Sequence, residues 1–400
     1  MSSELLIWRD GIVHGVVTER RGNLTLRYEQ DARPISVTMP VRSAGYGDRH
    51  ARTWLRGLLP EGQIRAMIAY DLNIAGADDF ALLTALGKDC AGALSFRPDG
   101  ADPDDTRLGS ALDEQQIGQL LRSLPTSPMG VEQGFRVSLP GNQSKLLLTR
   151  VANRWHRPDG APSTHILKPA VRDLHDNTVH NEAYCQHLAA AAGLPAATTT
   201  IATFDGTRVL LSERFDRVHD RSLGRRVHQE DGCQATIIDP TQKYQTDSSG
   251  PSLSAIAAAL SANGGQLAPL LRLVVFTVAI GNADLHGKNV SLTFHDDDSV
   301  ALSPIYDAMS TRLYDTSADG QPVVRDLGMR VGGRTSIDDV THDDLIAEAR
   351  SWGITARTAH SVVDTALDGI SAALDTIEAP LPELRALIAE RLDNLTPRQT

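Results

Sequence analysis

The hydrophobic spacing of this chain changes three times, and those changes limit the folds open to it. Residues 4–45 carry short apolar runs, Leu5-Leu6-Ile7-Trp8, then Ile12-Val13 to Val16-Val17, then Leu24-Thr25-Leu26, set apart by Gly and Asp. They predict a small antiparallel sheet. From Ala51 to Leu86 the spacing becomes helical (Trp54, Leu55, Leu58, Leu59; Ile64, Met67, Ile68; Leu82, Leu83, Leu86), and Gly87 closes it. Residues 97–110, rich in Pro, Gly and Asp, read as a linker, with a boundary at 97–130 and a helix at about Leu112 to Leu124. Strand-like runs follow at 135–139, 145–151, 164–168, 198–204 and 207–213, around a helix Asn181–Ala192 that stops at Gly193 and Pro195. Past Ser252 the pattern is mainly helical, broken by a hairpin at 290–306, and 337–395 reads as a helical bundle. Strands first and helices second predict an α+β protein of two lobes with any cleft between them.

A net charge of -11 argues against coating nucleic acid by bulk charge, while leaving a local basic patch open. The three cysteines, Cys90, Cys185 and Cys233, lie far apart without a CxxC spacing, which predicts buried free thiols. No secretion signal opens the chain, and its most apolar segment, Leu267–Ile280, contains Arg272 and falls short of the roughly 20 residues of a membrane span. A cytoplasmic protein without membrane contact is expected.

The chemistry concentrates in Gly281-Asn282-Ala283-Asp284-Leu285-His286-Gly287-Lys288-Asn289, polar or small residues between an apolar helix and a strand. D-x-x-x-x-N is what a phosphoryl-transfer loop presents, the Asp accepting a hydroxyl proton and the Asn coordinating Mg²⁺. The hairpin then returns Asp307, in Ser303-Pro304-Ile305-Tyr306-Asp307, towards Asn289, and two oxygen ligands suit Mg²⁺. As turn or cap residues, Asp284 and Asp307 would carry no chemistry. Pro140-Gly141-Asn142-Gln143-Ser144-Lys145 could cradle phosphate, and an ordinary hairpin turn explains it equally well. Lys168, on a strand, suits the α/β-phosphates, with Glu182 to orient it, or is simply exposed. Glu213-Arg214-Phe215-Asp216-Arg217 sits where a hinge would offer main-chain groups to adenine, or forms a surface salt-bridge cluster. His228-Gln229-Glu230-Asp231 either serves the cleft or is loop alone.

In this order the segments resemble the HipA family of bacterial toxin kinases of type II toxin–antitoxin systems. The resemblance rests on LLPEG (58–62), LGKDCAGALSF (86–96), SLPGNQSK (138–145), HILKP (165–169), NE (181–182), ERFDR (213–217), HQEDGCQA (228–235), GNADLHGKN (281–289) and LSPIYDAMST (302–311). It implies a protein-kinase-like fold: an N-terminal β-rich subdomain at 1–110, an ATP-binding part at 111–250 and a helical catalytic lobe at 251–400. It further implies ATP and Mg²⁺ as cofactors and Asp284 as the catalytic base. Asn289 and Asp307 would be the metal ligands, with His286, Lys288 and Tyr306 beside the nucleotide. Pro140 to Lys145, Lys168 and Glu213 to Phe215 complete the nucleotide contacts, and Ser138 falls on the autophosphorylated serine. The implied partners are an aminoacyl-tRNA synthetase as substrate, typically glutamyl-tRNA synthetase, and a HipB-like helix-turn-helix antitoxin that brings the pair to operator DNA. Phosphorylation of the synthetase would halt translation and favour persistence. Pro140 and Ser144 depart from the family's small and acidic residues at those positions. A small-molecule or lipid kinase, or a co-repressor acting with the antitoxin, are the alternatives.

Overall fold

The structure, a computed structural model, describes residues 3–101, 107–141, 143–170, 175–218, 225–246 and 248–396. It has two compact units, both discontinuous in sequence: residues 1–169, 202–241 and 293–298, and residues 170–201, 242–292 and 299–400.

In the first unit, strands β1 (Ser3–Arg9), β2 (Ile12–Arg20) and β3 (Asn23–Tyr28) form the expected antiparallel meander, and β4 (Ser95–Pro98) pairs with β1. Alternation puts Leu5, Ile7, Val17, Leu24 and Leu26 in the core. Helices α1 (Asp48–Arg56), α2 (Gly62–Asp71) and α3 (Asp79–Leu86) fill the helical window. A second sheet runs β5-β7-β6-β8-β10-β9, built from β5 (Leu108–Leu112), β6 (Leu146–Val151), β7 (Arg154–Pro158), β8 (His165–Pro169), β9 (Thr199–Phe204) and β10 (Thr207–Glu213). Helix α4 (Glu114–Ser123) precedes it, opened by a capping box between Asp113 and Gln116.

Two expectations change here. The end of the supposed linker is a strand, since β5 pairs with β7, itself unexpected because Trp155 and His156 stand among arginines. Residues 135–139 form no strand: Ser138 N–H reaches across to the Asp89 carbonyl.

Two dense polar runs prove to be internal fasteners. Arg214, Asp216 and Arg217, expected at a hinge or on the surface, are buried with Asp89. The Arg214 guanidinium donates to Asp216 at 2.8 Å and to Ser163 Oγ at 2.8 Å, and Arg217 reaches Asp89 at 2.8 Å. Asp216 Oδ2 also accepts from Gly92 N–H (2.7 Å) and Gln229 (3.0 Å). Gly92 has φ +78°, and a Cβ there would sit 2.9 Å from the Gln229 backbone, so the approach demands glycine. Burial alone would raise the Asp216 carboxyl, but Arg214 and Arg217 outweigh it and hold it low, while burial and Arg214 bring Arg217 down to about 10.

In the second run, His228 bonds the Ile35 carbonyl, and Glu230 accepts from Val37 N–H and Trp54 Nε1. Burial pushes the Glu230 carboxyl up to about 7. Asp231 caps α6 (Gly232–Ala235), after the short strands β11 (Arg217–Val218), β12 (Arg225–Arg226) and β13 (Gln229–Asp231). The cysteines are buried and free, as expected.

The second unit holds α5 (Thr178–Ala191), which ends before Gly193 at φ +76°, then α7 (Leu253–Ala262) and α8 (Leu267–Ala279). Next come β14 (Ser291–Phe294) and β15 (Val300–Leu302), adjacent in one sheet, and the hairpin β16 (Asp326–Val331) and β17 (Arg334–Ser336). Helices α9 (His342–Ser351), α10 (Ala356–Thr376) and α11 (Pro382–Leu395) form the expected bundle, with α10 packed on α8 and α9. Among the described residues no helix is long and apolar enough to cross a membrane.

Removing one carboxylate from the buried network leaves guanidinium charge without compensation. Asp216→Ala should therefore lower unfolding free energy by about 3–5 kcal/mol, against less than about 0.5 kcal/mol for the exposed Asp296→Ala. Urea denaturation of both variants checks this; similar midpoints would remove the network from its structural role.

Candidate active site

Helix α8 is apolar on nearly every side, so its C-terminal carbonyls need partners inside the protein. Arg391 of α11 donates to Val278 O at 2.8 Å, and Asn282 N–H bonds Thr277 O. Gly281, at φ +69°, then reverses the chain, and its would-be Cβ meets Arg312 Cβ at 3.0 Å.

The loop leaving this point is held on several sides. Thr311 Oγ1 accepts from Ala283 N–H, Arg312 N–H donates to Gly281 O, and Asn282 Oδ1 accepts from Asp284 N–H in an Asx turn. Gly287 N–H donates to Lys243 O and Gly328 N–H to Ala283 O. At Gly328 a Cβ would lie 2.7 Å from His286 N, so β16 runs directly against the loop.

Asn289 Nδ2 donates to the Asp284 carbonyl at 2.9 Å, leaving the amide oxygen as the atom available to a cation. Asp307 stands in the left-handed region at φ +57°, which Asp tolerates better than most residues. With its amide oriented to satisfy both partners, Gln186 of α5 donates to Ile305 O (3.0 Å) and accepts from Asp307 N–H (3.1 Å). Ile305 also pairs with the segment after α5, and Asn181 clamps Ser310 through both its amide atoms. Tyr306 Oη is engaged by Lys288 O (2.7 Å) and Ser291 Oγ (2.6 Å), so its hydroxyl fixes the loop.

Asp284 and Asp307 are both exposed and close enough to repel. Dense protein around Asp284 disfavours its charged form. With Asp307's repulsion it pushes the carboxyl up to about 6, against the Tyr244 hydrogen bond and Lys243. Its exposed surface lets solvent limit that rise. His286 is buried beside them, held neutral by burial and Lys243 at about 3, and its Nδ1 has no hydrogen-bond partner. Two exposed carboxylates and the amide oxygen of the buried Asn289, beside an orphaned buried nitrogen, fit a hard cation with a polar ligand.

Tyr244 is the residue that spacing did not reveal. Its hydroxyl donates to Asp284 Oδ1 at 2.8 Å, its ring edge meets His286 at 5.0 Å, and it is 46% exposed. An aromatic alone among polar neighbours, Thr241-Gln242-Lys243-Tyr244-Gln245, was the available signal.

In the first unit, Gly141 stands at φ +112° and Lys145 Nζ donates to Pro140 O at 3.0 Å, closing the loop on itself. Gln143 reaches Pro169 O, Ser144 is half-buried, and Asn142 lies outside the described residues. Lys168 is buried on β8, where its backbone pairs with Leu210. Glu182 is buried on α5 of the second unit, and Lys288 is buried in the 281–289 loop. Glu213 and Phe215 are half-buried. Arg214 is a correction: its side chain belongs to the ion network, and its N–H donates to Thr164 O. Ser138 is fully buried, its Oγ donating to Leu58 O at 2.6 Å.

The comparisons with known proteins place the chain as a whole. Residues 137–374 match the HipA-like C-terminal domain and residues 5–97 the HipA N-terminal domain. Y4mE of Sinorhizobium fredii, named as a kinase, is 33% identical over 92% of this chain and 91% of its own. The serine/threonine-protein kinase toxin HipA of Shewanella oneidensis is 30% identical over 73% of this chain and 70% of its own. The solved complex of Shewanella oneidensis HipA, HipB and operator DNA contains a chain that superposes with a TM-score of 0.80 at 24% identity, covering 98% of this chain and 95% of that one. The fold is therefore the α+β, protein-kinase-like fold of that structure. The chain belongs to the HipA family.

Replacing Tyr244 by Phe removes the hydrogen bond that favours the charged carboxylate. In metal-free protein the Asp284 carboxyl should titrate above the usual carboxylate range, and at higher pH still in Tyr244→Phe, by carboxyl ¹³C NMR. An unchanged midpoint would show that Tyr244 does not act on Asp284.

Proposed function

We propose that this chain is an ATP- and Mg²⁺-dependent serine/threonine-protein kinase, the toxin of a type II toxin–antitoxin pair. The observation that carries it is the set in one loop system: Asp284 ionisable and exposed, Asn289 with a free amide oxygen, and Asp307 locked beside them. Asp284 accepts the proton of the target serine hydroxyl, Tyr244 orients its carboxylate, and the rigid loop supplies positioning. Asn289 and Asp307 would hold Mg²⁺, which would supply charge neutralisation to the transferring phosphoryl group. Lys168 meets the α/β-phosphates, residues 140–145 the remaining phosphate oxygens, and the backbone at Glu213 and Phe215 the base.

In this reading residues 1–110 are the N-terminal subdomain, 111–250 the ATP-binding part and 251–400 the catalytic lobe, acting in the cytoplasm. The name of the Shewanella relative supports the serine/threonine specificity, and the composition of the solved complex supports a HipB-like antitoxin and operator DNA as partners. The protein substrate is an aminoacyl-tRNA synthetase, whose modification halts translation and promotes persistence. Ser138 is the inactivating autophosphorylation site. Its buried Oγ leaves no room for a phosphate, so modification must expel the 138–145 segment.

Asp284→Ala should abolish transfer of label from ATP to protein, a loss of at least about 100-fold, with ATP binding retained. Asp307→Asn should instead weaken Mg²⁺-dependent ATP binding. Normal phosphorylation by Asp284→Ala would sink the assignment, and label entering only small molecules or lipid would overturn the protein substrate.

A further inference from the structure

Helices α9 and α10 carry a cluster that phosphoryl transfer does not use. His342, in the first turn of α9, lies against His360 and Asp364 of α10, and one ligand atom from each falls within 4.8 Å of the others. His360 and Asp364 are four residues apart on one helix, so both point the same way. His342 is mostly buried while His360 and Asp364 are exposed, which fixes one donor in place and leaves the cluster open to water.

His342 Nε2 and Asp364 Oδ1 are 2.8 Å apart, a hydrogen bond that orients the first ring. That bond gives no reason for the second imidazole, whose ring centre lies 5.6 Å from the first at an interplanar angle of 30°. Two imidazoles attract each other weakly, and when both are protonated they repel. A shared electrophile makes the arrangement favourable.

We propose that His342, His360 and Asp364 form a binding site for a divalent transition-metal ion of the zinc class, which staples the first turn of α9 to α10. Imidazole nitrogens with one carboxylate suit Zn²⁺, Co²⁺ or Ni²⁺, whereas Mg²⁺ prefers all-oxygen sets such as Asn289 and Asp307. Three protein ligands leave a fourth position to water or a further donor. The ion ties residues 22 apart in sequence and so closes the α9–α10 hairpin at its open end. The site stands independently of the kinase reading.

The experiment uses the untagged full-length chain with Mg²⁺ in excess. Zn²⁺ is titrated by calorimetry against a competing chelator, Co²⁺ by its visible absorption, and Tm is recorded with and without Zn²⁺. One equivalent should bind, raise Tm and give a tetrahedral Co²⁺ spectrum. His360→Ala and Asp364→Asn, both at exposed positions, should each weaken binding at least about ten-fold, the loss that even an outer-shell partner carries. A Tm indifferent to Zn²⁺ would leave only the His342–Asp364 hydrogen bond and overturn the site. Binding unchanged in both variants would place the metal elsewhere and overturn it equally.

Discussion

The end of helix α8 is the constraint on which the second unit depends. An apolar helix must leave its last carbonyls inside the protein, where water cannot serve them. Arg391 and the left-handed turn at Gly281 meet that need, and both dictate where the next residues go. Because Thr311 and Arg312 bond the same turn, the 281–289 loop and the segment after Asp307 are held to one frame. Burial lowers Arg391 to about 10, yet it stays charged at neutral pH and complements the C-terminal end of the helix dipole. The loop of Asp284 thus inherits its rigidity from a capping problem.

Burial divides the polar runs of the chain into two kinds. Asp216 is fully enclosed and accepts from Arg214, Gly92 and Gln229, so it is a fixed charge inside the fold. Among the described residues Asp284 has one side-chain donor, Tyr244, and an exposed face, and its carboxyl rises. A carboxylate held low by several partners cannot exchange a proton near neutrality; one at about 6 can. Both occur in dense polar stretches of sequence, and burial together with the number of partners separates them.

Much of the architecture was legible because it follows local spacing. The meander of residues 3–28, the helices of 48–86, the stop at Gly193 and the final bundle all follow from period and punctuation. The loop of Asp284 and the return of Asp307 were legible too, since a hairpin of known length brings residues on either side of it together. What spacing could not show was pairing at a distance. Arg214 looked like a hinge residue because its partner Asp89 stands 125 positions away. Strand β5 hid in a linker composition because β7, not its own sequence, stabilises it. Tyr244 and Gln186 act on Asp284 and Asp307 through contacts 40 and more than 100 residues apart in sequence.

These distant contacts also explain why the site can be rigid and still exposed. Asp307 sits at a positive φ that costs a residue with a side chain roughly 1 kcal/mol, and it persists only if neighbours over-determine it. Gln186, Ala197 and Asn181 supply that determination from α5 and the segment behind it, away from the carboxylate itself. On the Asp284 side, Lys243, Gln245 and Gly328 do the same through backbone bonds. The two loops are therefore fixed mainly through backbone groups, with the Tyr244 hydroxyl as the side-chain donor that reaches the Asp284 carboxylate itself.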